Sequence, residues 1–127
     1  MVTRTPRLLF ALSSLLMAIG GASHAAAFNR TLPATAKSNL TPFFAGSFKL
    51  LWLADSATMF ILSAIFGFVA ARPSAATRPL LILISLIPAA TAVLVYVFLG
   101  SFFAGHILLA TAALAFVAAL QFPAVRP

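Results

Sequence analysis

The sequence predicts an all-α polytopic membrane protein: a four-transmembrane-helix bundle with its N-terminus and C-terminus both inside (N-in, C-in). Three observations carry this expectation. Of the 127 residues 63% are hydrophobic and 7% charged, with a mean hydropathy of +1.14, whereas a soluble domain is near half apolar and a quarter charged. Four apolar stretches reach the roughly 20 residues that cross the hydrocarbon core. The eight Lys and Arg, set against one acid for a net charge of +7, fall between those stretches, where the cytoplasmic bias of positive charge acts. They form no patch or stripe of the kind that binds nucleic acid, so the expected partner is the lipid bilayer.

The first segment is read as Leu8 to Phe28. The opening "MVTRTPRLLFALSSLLMAIGGASHAAA" also has the basic start, apolar stretch and small-x-small ending of a cleavable signal peptide, which would leave three helices and an external N-terminus. A retained helix is preferred because the apolar run continues to spanning length at Phe28. Next comes "NRTLPATAKSNLTP" (29–42), read as a polar external loop rich in Pro, Asn and Thr. It carries Asn29-Arg30-Thr31 and Asn39-Leu40-Thr41, which are glycosylation acceptors only in a eukaryotic secretory setting. The second helix is read over 43–71. It ends at "RPSAATRP" (72–79), a cytoplasmic turn framed by two Arg-Pro pairs. The third spans 80–99 with Pro88 inside it, where a proline frees a carbonyl and kinks the helix. Gly100 marks a tight reversal into a fourth helix over 101–122, and "PAVRP" ends the chain. Orientation follows from the charges: N-in, C-in places Arg4, Arg7, Arg72, Arg78 and Arg126 inside against Arg30, Lys37 and Lys49 outside.

The only acid, Asp55, lies in "FKLLWLADSATMF" (48–60). Counted at roughly 1.5 Å per residue, His24, Asp55 and His106 fall at a common depth in the outer leaflet, with Tyr96 in the same layer. A carboxylate in lipid is expensive and normally faces the bundle interior and a partner. Lys49, six residues away, has the wrong helical spacing and is expected to extend to the external interface. His24 and His106 are therefore the expected partners, in a cluster His24, Asp55, His106. Ser56, Ser63 and Ala70 with Gly67 form a small-residue stripe on the second helix. Ser101, Gly105, Ala112 and Ala119 form one on the fourth, and such stripes are expected packing seams.

The absence of Cys excludes disulfides, thiolate catalysis and Cys-based metal centres. No Ser sits in a Gly-x-Ser-x-Gly elbow, so hydrolysis by a triad is disfavoured, and an enzyme is not the expectation. The chain is expected to be a structural or accessory membrane subunit with a buried polar network near the external face, working as a homo-oligomer or with a membrane-complex partner. The alternatives are a proton-linked transporter or hydrophobic-ligand-binding protein using Asp55 and the two histidines, or a haem or metal protein. Two histidines and a carboxylate form a possible ligand set, yet no His-x-x-x-His or Glu-x-x-His spacing supports it, and no cofactor is predicted. The Ala-rich composition points to a bacterial inner (plasma) membrane.

Overall fold

A computed structural model describes residues 3–123. The described residues form four helices, α1 (Arg4–Ala36), α2 (Pro42–Ala71), α3 (Arg78–Leu99) and α4 (Phe103–Leu120), with a short 3-10 turn at Pro73–Ala75. All four are long and apolar enough to cross a membrane. Arg126 lies outside the described residues.

The main departure from expectation is at the end of the first helix. The segment 29–42 is not an open loop: α1 continues to Ala36 and only 37–41 connect it to α2. Its threonines turn inward on their own helix, Thr31 Oγ1 donating to the Phe28 carbonyl at 2.7 Å and Thr35 Oγ1 to those of Leu32 and Thr31 at 3.0 and 3.1 Å. Those bonds satisfy the hydroxyls without breaking the ladder. Pro33 falls in the last turn, so the one backbone bond it removes lies just before the helix ends at Ala36.

The other boundaries have clear local causes. α2 begins with Pro42 in its first turn, and the Thr41 side chain accepts from Phe44 N at 3.5 Å, a proline and cap arrangement suited to a helix start. It stops where Arg72 precedes Pro73, since a residue before proline is disfavoured in the helical region. α3 continues through Pro88, which is buried. Gly100 has φ +70°, a region a side chain would resist, and this allows the immediate return into α4.

Packing runs in the order α2, α1, α4, α3: α1 packs against both α2 and α4, and α3 packs against α4. At the end where α1 begins and α4 finishes, Phe10 is stacked on Phe66 with ring centroids 5.8 Å apart and meets Phe122 edge-on at 5.7 Å. Ala112, Ala115, Ala118 and Ala119 carry the buried face of α4. Small side chains there let neighbouring backbones approach, which is how helices associate in lipid. Arg4, Arg7, Arg72 and Arg78 all belong to this end, and the charge rule assigns it to the cytoplasm. At about 1.5 Å per residue, α1 and α2 are about 50 and 45 Å long and α3 and α4 about 33 and 27 Å. The α1/α2 hairpin therefore extends past α3 and α4 at the opposite end.

Candidate functional site

The small-residue stripe of α2 packs against α1, not α4, and a line of polar contacts follows it. Ser63 Oγ donates to the Ser14 carbonyl and Ser14 Oγ to the Ser63 carbonyl, both at 2.8 Å. Gly67 lies beside them, where a Cβ would stand 3.0 Å from Ser14 Oγ. Arg7 Nε donates to the Ala70 carbonyl at 2.9 Å. Further along, a Cβ on Gly21 would come 3.1 Å from Met59 Cβ, so glycine brings α1 close to α2 one turn before His24.

His24 meets three residues of α2. Trp52, Asp55 and Ser56 stand at positions i, i+3 and i+4, which share one helix face. The imidazole stacks on the Trp52 indole with centroids 4.3 Å apart and planes 11° apart, and Trp52 Nε1 donates to the His24 carbonyl at 2.8 Å. His24 Nδ1 lies 2.9 Å from Ser56 Oγ, and His24 Nε2 lies 3.6 Å from Asp55 Oδ2. Ser56 is buried, while the His24 and Asp55 side chains keep 23% and 38% exposure. The network is anchored inside and open at its acidic edge.

These contacts constrain proton placement. Ser56 Oγ also lies 3.2 Å from the Trp52 carbonyl. When the hydroxyl donates to that carbonyl, Nδ1 carries a proton and donates to Ser56; when the hydroxyl turns to donate to Nδ1 instead, Nδ1 accepts and the ring proton sits on Nε2, facing Asp55. Rotation of one hydroxyl is thus tied to the tautomer of the imidazole.

The expected three-member cluster does not form. The structure brings His24 and Asp55 together and places His106 elsewhere, with Nδ1 at 2.7 Å from Tyr96 Oη and Nε2 at 3.4 Å from Ser101 Oγ. The cause is direction around the helix. Phe103 and Ile107 of α4 face the cleft beside His24, and His106, one residue before Ile107, is rotated by about 100° toward α3. Gly105 faces α3 as well, where a Cβ would lie 2.9 Å from the Tyr96 ring. Lys49 is half-buried and makes no ion pair with Asp55; among the described residues the one such contact is His24–Asp55. Trp52, absent from the expected cluster, is part of the site. Its spacing from Asp55 and Ser56 was the available signal. Ser13 was also missed; it donates to the Leu9 carbonyl at 3.0 Å and lies 3.5 Å from the Thr111 carbonyl of α4.

An apolar cleft of about 300 Å³ adjoins the network, with Met17 and Gly20 on α1, Trp52 and Met59 on α2, and Phe103 and Ile107 on α4. Among the described residues no three His, Cys, Asp or Glu side chains converge, and both histidines have each ring nitrogen against a protein partner. The two histidines and the carboxylate are thus not brought to one point. Comparison with known protein families, curated proteins and solved structures finds no match. Fold and site together define a class, a helical membrane protein whose first hairpin is joined by a polar seam.

Proposed function

We propose that this chain is a non-catalytic integral membrane protein of a bacterial inner membrane, serving as a structural or accessory subunit in a homo-oligomer or larger membrane complex. The observation that supports this reading is internal satisfaction: among the described residues no buried side-chain nitrogen or oxygen lacks a hydrogen-bond partner. His24, Ser56, Trp52, Ser14 and Ser63 direct their polar atoms at the facing helix of the same hairpin. Such a seam fixes the register of α1 on α2 and needs no ligand to complete it. Interhelical polar contacts in membranes are individually modest, about 0.6 kcal/mol on average, so the seam selects one alignment more than it supplies bulk stability. The test compares Asp55→Asn with Asp55→Leu in purified protein. A structural seam keeps near-normal stability in detergent with Asn, which keeps a polar group beside His24, and is weaker by about 0.6 kcal/mol with Leu. Equal loss in both variants, or in neither, rejects the structural role of this residue.

A second reading, proton-linked binding or transport of a hydrophobic ligand, is favoured by one observation. The His24–Asp55 pair is partly open, beside an apolar cleft. In that case Asp55→Asn abolishes pH dependence of the protein's activity in its host while leaving stability intact. An unchanged pH dependence in Asp55→Asn removes this reading.

A further inference from the structure

The far end of the same hairpin carries a second, unrelated feature. A cleft of about 700 Å³ opens between the first turns of α1 and the last turns of α2, lined by Arg4, Arg7, Leu8 and Ala11 on one side and Gly67, Ala70 and Ala71 on the other. Positions 4, 7, 8 and 11 share one helix face, and so do 67, 70 and 71. The cleft has a basic rim of two arginines and walls of small apolar residues leading toward the middle of the membrane. At Gly67, a Cβ would stand 3.0 Å from Ser14 Oγ. The cleft lies on the outer side of the hairpin: Leu8 is 54% exposed, whereas Phe10 is fully buried in the core.

Charge decides what can fill the rim. Arg7 uses Nε on the Ala70 carbonyl, and this bond holds the guanidinium across the cleft mouth with its two terminal amino groups still able to donate. Arg4 stands one turn before it. The chain has one Asp or Glu in total, Asp55, which lies fifteen residues before Ala70 on α2, or about 22 Å along the helix. That is well beyond the distance of about 8 Å over which exposed charges act in physiological salt. No Asp or Glu of this protein lies within reach of the two exposed arginines, so an outside anion can pair with them. A guanidinium fork matches phosphate oxygens in geometry and charge. The walls below the rim are the apolar residues Leu8, Ala11, Gly67, Ala70 and Ala71, against which an acyl chain can lie.

We propose that this cleft binds one anionic phospholipid, its phosphodiester held by Arg4 and Arg7 and an acyl chain lying in the groove of Ala11, Gly67 and Ala70. Basic pockets between helices at the cytoplasmic face are suited to such headgroups. The site is independent of the His24 network and of the function proposed above.

The experiment uses full-length purified protein in neutral detergent. Binding of phosphatidylglycerol and of phosphatidylcholine is titrated by native mass spectrometry. The expected result is preferential retention of one phosphatidylglycerol. Arg4→Gln, which leaves the Arg7–Ala70 bond in place, weakens that binding about five-fold, and Arg4→Gln with Arg7→Gln about thirty-fold. Ala11→Phe fills the groove without changing charge and also abolishes the preference. Arg30→Gln with Lys37→Gln, an equal charge change at the other end of α1, leaves it intact. Equal retention of the two lipids overturns the proposal. So does wild-type affinity in the double arginine variant or in Ala11→Phe, or displacement of the lipid by millimolar inorganic phosphate, which would indicate a bare anion site.

Discussion

Gly105→Ala adds one methyl group at the tightest point of the α3/α4 contact. Its Cβ would stand 2.9 and 3.1 Å from two carbons of the Tyr96 ring and 3.2 Å from Val95 Cγ1. Distances this short require movement. The ring is not free to swing, because its hydroxyl lies 2.7 Å from His106 Nδ1, one residue from the new methyl. Overpacking a close contact costs about 1–3 kcal/mol, and losing the Tyr96–His106 bond adds about 0.6 kcal/mol. Against this, alanine in a helix is better than glycine by about 1 kcal/mol. The balance is a destabilisation of about 0.6–2.6 kcal/mol. The assay is reversible unfolding in mixed micelles, with Gly46→Ala as its control. Gly46 is also helical, yet nothing lies within 4 Å of a Cβ placed there. That variant should be neutral or slightly stabilised. Tyr96→Ala combined with Gly105→Ala should recover part of the loss, since the ring is the principal obstacle. If Gly105→Ala is as stable as Gly46→Ala, the α3/α4 contact is not as close as described and the reasoning fails.

Trp52 is the sole tryptophan, so intrinsic fluorescence reports directly on its stacking with His24. His24→Ala is expected to raise the emission. Unchanged emission in His24→Ala would remove the stacked pair. A double-mutant cycle on Ser14→Ala and Ser63→Ala should give a coupling of about 0.6 kcal/mol and no more than about 1.7 kcal/mol, and a coupling of zero would place these hydroxyls off the α1/α2 seam. Thr35→Val removes a hydroxyl that bonds back to carbonyls of its own helix, and such back-bonding adds no helix stability. Unchanged amide exchange over 32–37 is the expected signature, and faster exchange there contradicts the account of how the threonines sit in α1.

Much of the fold was legible because a bilayer imposes a simple rule. Spanning helices need about 20 apolar residues, and Pro42, Arg72-Pro73 and Gly100 mark stops and starts by backbone chemistry alone. The end of α1 was not legible for a specific reason. "NRTLPATA" has the composition of a loop, and composition reports the surroundings of a segment before its conformation. Outside the hydrocarbon a helix has no need to be apolar. Thr31 and Thr35 return their hydroxyls to their own helix, and that choice is invisible in a residue count.

The polar site was half legible, and the half that failed shows what depth counting omits. Position along a helix is a single coordinate, and it brought His24, Asp55, Tyr96 and His106 to one layer. Contact also requires direction around the helix, which changes by about 100° with each residue. On α2, Trp52, Asp55 and Ser56 share a face, so once Gly21 brings α1 close all three meet His24 together. On α4, Gly105 commits its face to α3, and His106, the next residue, follows it to Tyr96. The α2 stripe and Gly105, Ala112 and Ala119 of the α4 stripe lie at packed positions, though neither stripe names its partner helix, while Ser101 is exposed and precedes α4. With α1 lying between α2 and α4, the two stripes never face one another, and the residues beside them are separated into two polar pairs.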